Sequence, residues 1–246
     1  MYATLTIVRY PAWLSWAGFI SMAIFRLSLW FNGKVHFWKL LGCGKNGTFD
    51  KTPDFQQWGL LAVYHQPVLS NHNLPVQVQE PFSLHQSLYG SMIARWWKLF
   101  NCETWTIFLQ PIEGHGLWDG KQAFGPLPKN SDYDGCLAVL TRATIYLNKL
   151  KPFWQNVTGV ARLMAGSPGF ITSLGIGEVP WIKQATFSIW QSKPAMIDFA
   201  YKMKEHVTVI RKTHQENWYK EDMFVRFKIL AASGTIKGKN PLEGML

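Results

Sequence analysis

Hydrophobic and polar positions along this chain follow two different periods. Residues 3–10 (ATLTIVRY) alternate between apolar and polar side chains, whereas residues 11–30 form a nearly continuous apolar run. Alternation predicts a β-strand and the long run predicts a helix. On these criteria the first half has strands at 3–10, 35–41, 59–64 and 104–111 and helices at 11–30 and 83–100. The second half has strands at 137–145, 170–177, 185–190 and 224–231 and helices at 150–165 and 194–218.

The two halves also share a sequence repeat. The strings FWKLLGCG and FITSLGIG, which begin at Phe37 and Phe170, share the pattern FxxxLGxG and lie 133 positions apart. The same offset pairs Arg9 with Arg142 and Gly33 with Gly166. Self-similarity at a fixed period indicates a duplicated structural unit.

Each half has the predicted order βαββαβ, which is the ferredoxin-like unit. One such unit leaves an apolar sheet face open, so two must pack together to bury it. The sequence therefore predicts an α+β fold of two fused ferredoxin-like repeats, packed as in dimeric α/β-barrel proteins. The predicted domains are a first repeat at 1–113, a Gly- and Pro-rich linker at 114–134, a second repeat at 135–232 and a tail at 233–246.

Composition and charge limit the classes of binding partner that fit this chain. Aromatic residues make up 15% of the chain, with 13 Trp and 16 Phe, and the formal net charge is +10. A basic surface attracts anionic lipid, an acidic redox protein or nucleic acid. Nucleic acid is the weakest of these, because the Lys and Arg residues are scattered and no nucleic-acid-binding motif is present.

Cysteine usage and the apolar segment bear on localisation. Three cysteines without a CxxC spacing indicate neither a disulfide framework nor a zinc site, which favours a reducing compartment. The run from Pro11 to Phe31 is interrupted by Arg26 and is short for a spanning helix. We expect a buried or membrane-surface helix in a cytoplasmic protein that contacts the membrane peripherally.

Several long strings resemble the spheroidene monooxygenase family. They are FWKLLGCG with TFDKTPDFQQWGLLAVY, LTRATI, GIGEVPWIKQATFSIW, and AMIDFAYKMKEHVTVIRKTHQENWYKEDMFVRFKIL. The resemblance covers about nine tenths of the chain. It implies an enzyme that holds haem b and uses dioxygen and an external electron donor, such as ferredoxin, to place a keto group on an acyclic carotenoid.

The resemblance also directs attention to particular histidines. Of seven in the chain, His206 lies inside a family-like string and is the first candidate for the iron ligand, with His214 as runner-up. The alternative is an exposed helical histidine. Cys43, flanked by glycines, is a weak candidate because its repeat counterpart is Ile176.

Four further residues are candidates for the haem site. Arg142 is a candidate catalytic and cofactor-binding residue, since a guanidinium there could pair with a haem propionate or polarise bound oxygen. The alternative is a structural ion pair, which its repeat partner Arg9 favours. Trp181, Phe187 and Trp190 are candidates for lining a haem or polyene slot, with ordinary core packing as the alternative.

Three other functions stay open at this point: a haem enzyme of another class, such as an aldoxime dehydratase; a cofactor-free monooxygenase; and a non-catalytic carrier of haem or polyene. A homodimer is also left open.

Overall fold

The computed structural model describes residues 1–45, 51–67, 80–202, 211–213 and 215–245, without the side chains of 157–162, 201 and 202. The strands are β1 (Tyr2–Arg9), β2 (Val35–Gly44), β3 (Pro53–Tyr64), β4 (Glu103–Gly116), β5 (Leu137–Ile145), β6 (Phe170–Val179), β7 (Lys183–Trp190) and β8 (Tyr219–Gly234). The helices are α1 (Ser15–Trp30), α2 (Pro81–Tyr89), α3 (Ser91–Leu99), α4 (Leu150–Ala165) and α5 (Lys193–Lys202).

The chain divides into two compact units. Unit 1 comprises residues 1–42, 54–110 and 229–246, and unit 2 comprises residues 43–53 and 111–228. In unit 1 the strands follow the order β4-β1-β3-β2, and Thr6 at the centre of β1 lies between Leu60 and Thr106. In unit 2 the order is β8-β5-β7-β6, and Thr141 of β5 lies between Phe224 and Thr186.

These two orders are the same. Counted within each repeat, both orders read fourth, first, third and second strand. The pairs β1–β3, β5–β7 and β6–β7 are antiparallel, as in a ferredoxin-like unit. The repeat strings lie in β2 and β6, and Arg9 and Arg142 lie in β1 and β5. The predicted fold class is therefore confirmed: an α+β chain of two fused ferredoxin-like repeats of the dimeric α/β-barrel type.

One predicted helix is wrong in detail. Residues 83–100 form two helices, α2 and α3, which meet at Gly90. Gly90 has a φ of 93°, a left-handed conformation that costs glycine little and ends a helix. The sequence pattern is apolar on both sides of this glycine, so it does not reveal the break.

The helix-facing side of the unit 1 sheet is filled. Tyr89 of α2 hydrogen bonds through its hydroxyl to Thr4 and Thr6, at 2.8 Å and 2.7 Å. Thr6 also bonds Thr106, which lies 3.3 Å from the Nε2 of His85. This buried polar network fixes α2 to β1 and β4.

The duplication extends beyond the strands into the turns that follow them. After β4, the backbone N–H groups of Asp119 and Gly120 donate to the carboxylate of Glu221. After β8, those of Lys237 and Gly238 donate to the carboxylate of Glu103. In each unit a glutamate at the start of one strand thus holds the turn that follows another. The beginning of the proposed linker and the proposed tail are consequently copies of one structural element.

Candidate ligand-binding site

Among the described residues, the helix-facing side of the unit 2 sheet is packed at both ends of β5 and accessible between them. One buried cluster holds Leu137 and Val139 with side chains of α4 and α5, and another holds Ala143 and Ile145 with side chains from the start of α4. Thr141 lies between these pairs on the same face of the strand and is exposed. Because an exposed side chain in the middle of a central strand is unusual in a packed core, its position marks an opening.

The equivalent position of unit 1 is closed. Val8 corresponds to Thr141 at the repeat offset of 133 and is only 2% exposed. Val8 belongs to one continuous cluster that joins the sheet to α1, α2 and α3. The two repeats thus share a fold but differ at this point, and only in unit 2 does the described structure leave the face accessible at this position.

The row of residues level with Thr141 crosses four strands. Gly175, Thr186, Thr141 and Phe224 lie side by side on β6, β7, β5 and β8. This row spans about 14 Å at the usual interstrand spacing of about 4.8 Å. The buried Oγ1 of Thr186 has no hydrogen-bond partner among the described residues. A buried hydroxyl without a partner is costly, so this atom favours a polar ligand atom or a water above the sheet.

A buried ion cluster borders the same face. Arg226, which pairs with Val139 in register, donates to Oε1 of Glu113. Glu113 also accepts from the Nζ of Lys193 at 2.8 Å and from the backbone N–H of Ser131 at 2.6 Å. Burial lowers the pKa of the Arg226 guanidinium. Its Nε has no partner in the described part of the chain and is a second unused donor on this face.

His115 is a candidate that sequence reasoning did not single out. It lies two residues after Glu113 in β4, is exposed, and stacks on Phe224 with ring centroids 5.9 Å apart and an interplanar angle of 22°. Phe224 is the neighbour of Thr141 in the row described above, so His115 lies at the edge of the opening. The only sequence signal was its position in a GHG string, which is not specific.

Arg142 lies on the opposite face of β5 from Thr141. Its guanidinium donates to Glu221 and to Asp119, the latter at 3.2 Å, and lies 3.8 Å from a carboxylate oxygen of Glu178. Burial raises the pKa of Glu221, but the backbone donors of Gly120 and Asp119 together with Arg142 outweigh it and lower that pKa overall. These contacts support the structural alternative for Arg142.

The three candidate aromatic residues do not lie together. Trp190 is on the helix-facing side, packed against Phe199 with ring centroids 5.3 Å apart, and donates to Ser188. Phe187 is fully buried on the other face, opposite Leu140. Trp181, with a φ of 64°, is exposed in the turn between β6 and β7. Trp190 is thus the one that shares a face with the opening.

His206 and His214, the predicted iron ligands, lie outside the described residues, as does His72. Elsewhere, His85 is buried in unit 1, and His36 and His65 are exposed and lie 4.2 Å apart by ring centroids. Within the described ranges no group of three His, Cys, Asp or Glu side chains could hold a metal ion. A haem iron does not require such a group, because one axial side chain can be sufficient.

Two spheroidene monooxygenases align with most of this chain. The chain is 32% identical to the spheroidene monooxygenase of Cereibacter sphaeroides over 218 residues, which are 88% of this chain and 63% of that protein. It is 30% identical to that of Rhodobacter capsulatus over an alignment of 247 positions, covering 98% of this chain and 95% of that protein. No protein-family model matches the sequence.

A solved structure supports the fold. An aldoxime dehydratase in complex with butyraldoxime is similar with a TM-score of 0.57 and 10% identity, over 93% of this chain and 79% of that one. At this identity the likeness concerns the fold alone. The sequence identity to the two relatives shows more than the fold, and it agrees with the resemblance found in the sequence. This chain belongs to the spheroidene monooxygenase family.

Proposed function

We propose that this chain is a haem-dependent monooxygenase that holds haem b on the helix-facing side of the unit 2 sheet. The observation that carries the proposal is the opening at Thr141, where the equivalent Val8 of unit 1 is buried. The exposed Thr141 lies between two separate core clusters, and a flat ligand would lie against the sheet there. The unused Thr186 hydroxyl and Arg226 Nε supply polar partners at its edge.

The iron ligand is proposed to be His206, with His214 as runner-up. The fold gives a reason for choosing this part of the chain. In unit 1, α2 presents His85 toward the sheet, where it contacts Thr106. The register pairs Thr106 with Thr6 and Arg226 with Val139, so the fourth strands correspond at an offset of 120. At that offset the residue equivalent to His85 is Glu205, next to His206.

The substrate is proposed to be an acyclic carotenoid, as the names of the relatives suggest, or a similar long apolar molecule. Bound haem would supply the activation of dioxygen for attack on an unreactive C–H bond. Two successive hydroxylations at one carbon give a geminal diol, which loses water to leave a ketone. Each hydroxylation consumes one dioxygen, two electrons and two protons and releases one water, so a separate electron donor is required.

The residues of this chain have separate roles in the proposal. Hydroxyl groups of Thr141 and Thr186 offer hydrogen bonds on the sheet side, and Arg226 offers a positive charge for an anionic group at the edge. Phe224 and Trp190 provide apolar, flat surfaces that exclude water. The formal charge of +10 suits an acidic electron donor such as a ferredoxin.

An absorption spectrum of the purified protein supplied with haem tests the proposal. We expect a Soret band in the wild-type protein and its loss or strong change in His206→Ala, with His214→Ala as the comparison. His115→Ala is the third variant, because His115 is exposed at the edge of the opening. A haem spectrum that changes only in His115→Ala would move the iron ligand to β4, and no haem spectrum at all would contradict the proposal.

The same preparation separates the remaining functions. Turnover without haem would favour a cofactor-free monooxygenase. Turnover of an aldoxime without dioxygen or reductant would favour a dehydratase. Tight binding of haem or polyene without turnover, in the presence of a competent donor, would favour a carrier.

A further inference from the structure

The outer face of α1 is apolar, aromatic and exposed. Trp16, Phe19, Leu27 and Trp30 lie on it, preceded by the exposed Trp13. Trp30 is 79% exposed and Phe19 is 66% exposed. Their spacing of three, eight and three residues places the four helical side chains on one side of the helix. Large aromatic side chains are costly to leave in water, so this face requires a partner.

The inner face fixes α1 to the sheet of unit 1. Ala17, Ser21 and Phe25 are buried, and a Cβ at Gly18 would collide with the Trp58 ring of β3. The segment Ala12–Trp30 has 19 residues with a mean hydropathy of 1.3, long and apolar enough to span a membrane by length and composition alone. Because its inner side is built into the core of unit 1, we infer that α1 lies along the surface of the unit rather than leaving it.

The neighbouring helix α3 extends the exposed surface. The ring of Phe25 lies 6.0 Å from that of Trp96, which places α3 beside α1. Met92 and Leu99 of α3 are exposed. They line a shallow groove of about 560 Å³ together with Arg95, Trp96 and Lys98. We call the exposed residues of α1 and α3, with Trp13, the α1–α3 face.

The charged residues of α1, of α3 and of the turn after α1 are all basic. Arg26, Lys34, Arg95 and Lys98 are exposed in or next to the two helices. The first acidic residue of the sequence is Asp50, and residues 81–102 contain none. An aromatic surface whose two helices carry cations and no carboxylates matches the polar headgroups and acyl chains of an anionic bilayer.

We propose that the α1–α3 face docks unit 1 on the surface of an anionic lipid bilayer, with the Trp rings at headgroup level and the basic side chains against the lipid phosphates. Trp is favoured at membrane interfaces because its ring is apolar and its N–H is polar. The proposal goes beyond the proposed function and does not depend on it, since it concerns another unit and involves neither haem nor substrate.

Flotation with vesicles tests the proposal. The full chain is mixed with vesicles of phosphatidylcholine alone or of equal parts phosphatidylcholine and phosphatidylglycerol. We expect binding to the second kind and at least about tenfold less to the first, because electrostatic attraction and apolar insertion act together. Equal binding to both kinds, or to neither, would overturn the proposal.

Variants locate the surface. We expect Trp16→Ser/Phe19→Ser/Trp30→Ser to lower the partition coefficient at least about 100-fold, since three large apolar side chains no longer insert. Arg95→Gln/Lys98→Gln should lower it about tenfold. The matched control is Leu147→Ser/Tyr146→Ser, which removes two exposed apolar side chains of unit 2 and should leave partitioning unchanged.

Two outcomes contradict the location or the partner. If the triple variant binds vesicles as the wild type does, the face is not the docking surface. If the wild-type protein does not bind vesicles and is a dimer, while the triple variant is a monomer, a second copy of the chain covers the face. We expect the Soret band of haem-loaded protein to be the same in all of these variants. A loss of vesicle binding can therefore be distinguished from a failure of the proposed function.

Discussion

Thr141 and Thr186 pair across β5 and β7 on the helix-facing side of unit 2. Thr141 is exposed between two buried clusters, and the Thr186 hydroxyl has no partner within the described residues. In unit 1 a polar network from α2 and the side chain of Val8 occupy the corresponding region. The helix-facing side of the sheet is therefore packed at this position in unit 1 and accessible in the described part of unit 2.

A larger residue at position 141 should close the opening. We expect Thr141→Phe to weaken haem binding at least about tenfold, because inserting the ring against a bound ligand costs about 1–3 kcal/mol. Haem titration followed at the Soret band measures the change. The control is Thr144→Phe, on the same strand but on the other face; equal haem affinity in Thr141→Phe and wild type would place the ligand elsewhere.

The sequence predicted the repeat and all eight strands, because alternating apolar residues and the FxxxLGxG string directly reflect burial in two copies of one sheet. It did not predict the break at Gly90, since the apolar pattern continues on both sides of it. It also missed Glu103 and Glu221, whose role depends on turns far away in the chain.

The site was harder to predict than the fold. Trp190 and Phe187 were candidates for lining a slot, with core packing as the alternative. Both are buried, and they lie on opposite faces of β7, as strand alternation requires. His115 is close to Thr141 only through the pairing of distant strands, so no local pattern could reveal it. His206, His214 and the residues around them lie outside the described chain and stay predictions.

Arg142 and Arg9 offer a matched comparison between the two repeats. Arg142 is 1% exposed among three carboxylates, whereas Arg9 is 25% exposed beside Asp54. We expect Arg142→Met to lower the free energy of unfolding by about 1.5–3 kcal/mol, because three partly exposed carboxylates lose the buried cation that bridges them. Arg9→Met should cost about 1 kcal/mol or less. Urea denaturation measures both.

The Soret band of Arg142→Met then separates the two interpretations of this residue. An unchanged band in the folded variant supports the structural role. A shifted band, or lost turnover at unchanged stability, would instead support the predicted catalytic and cofactor-binding role.

Glu113 should be essential for stability. It is 1% exposed and forms ion pairs with both Arg226 and Lys193. We expect Glu113→Gln to lower the free energy of unfolding by about 3 kcal/mol or more, since two cations then lack their partner. Glu113→Gln combined with Arg226→Met should recover part of that loss. The control Glu243→Gln, at an exposed site, should stay within about 0.5 kcal/mol of wild type, and an equally small effect at Glu113 would contradict this account.

Acidification should destabilise unit 1 through His85. Burial lowers the pKa of His85 from 6.5 to about 4, so the folded protein keeps this ring neutral. Between these two values the unfolded chain binds a proton that the folded chain does not, and the free energy of unfolding therefore falls as the pH falls. The loss attributable to this group is complete near pH 4 and amounts to roughly 3 kcal/mol.

Urea denaturation at several pH values measures this loss. His85→Leu should flatten the dependence in this window, while His65→Ala, at an exposed ring, should keep it; a wild-type dependence in His85→Leu would show that other groups cause the acid sensitivity.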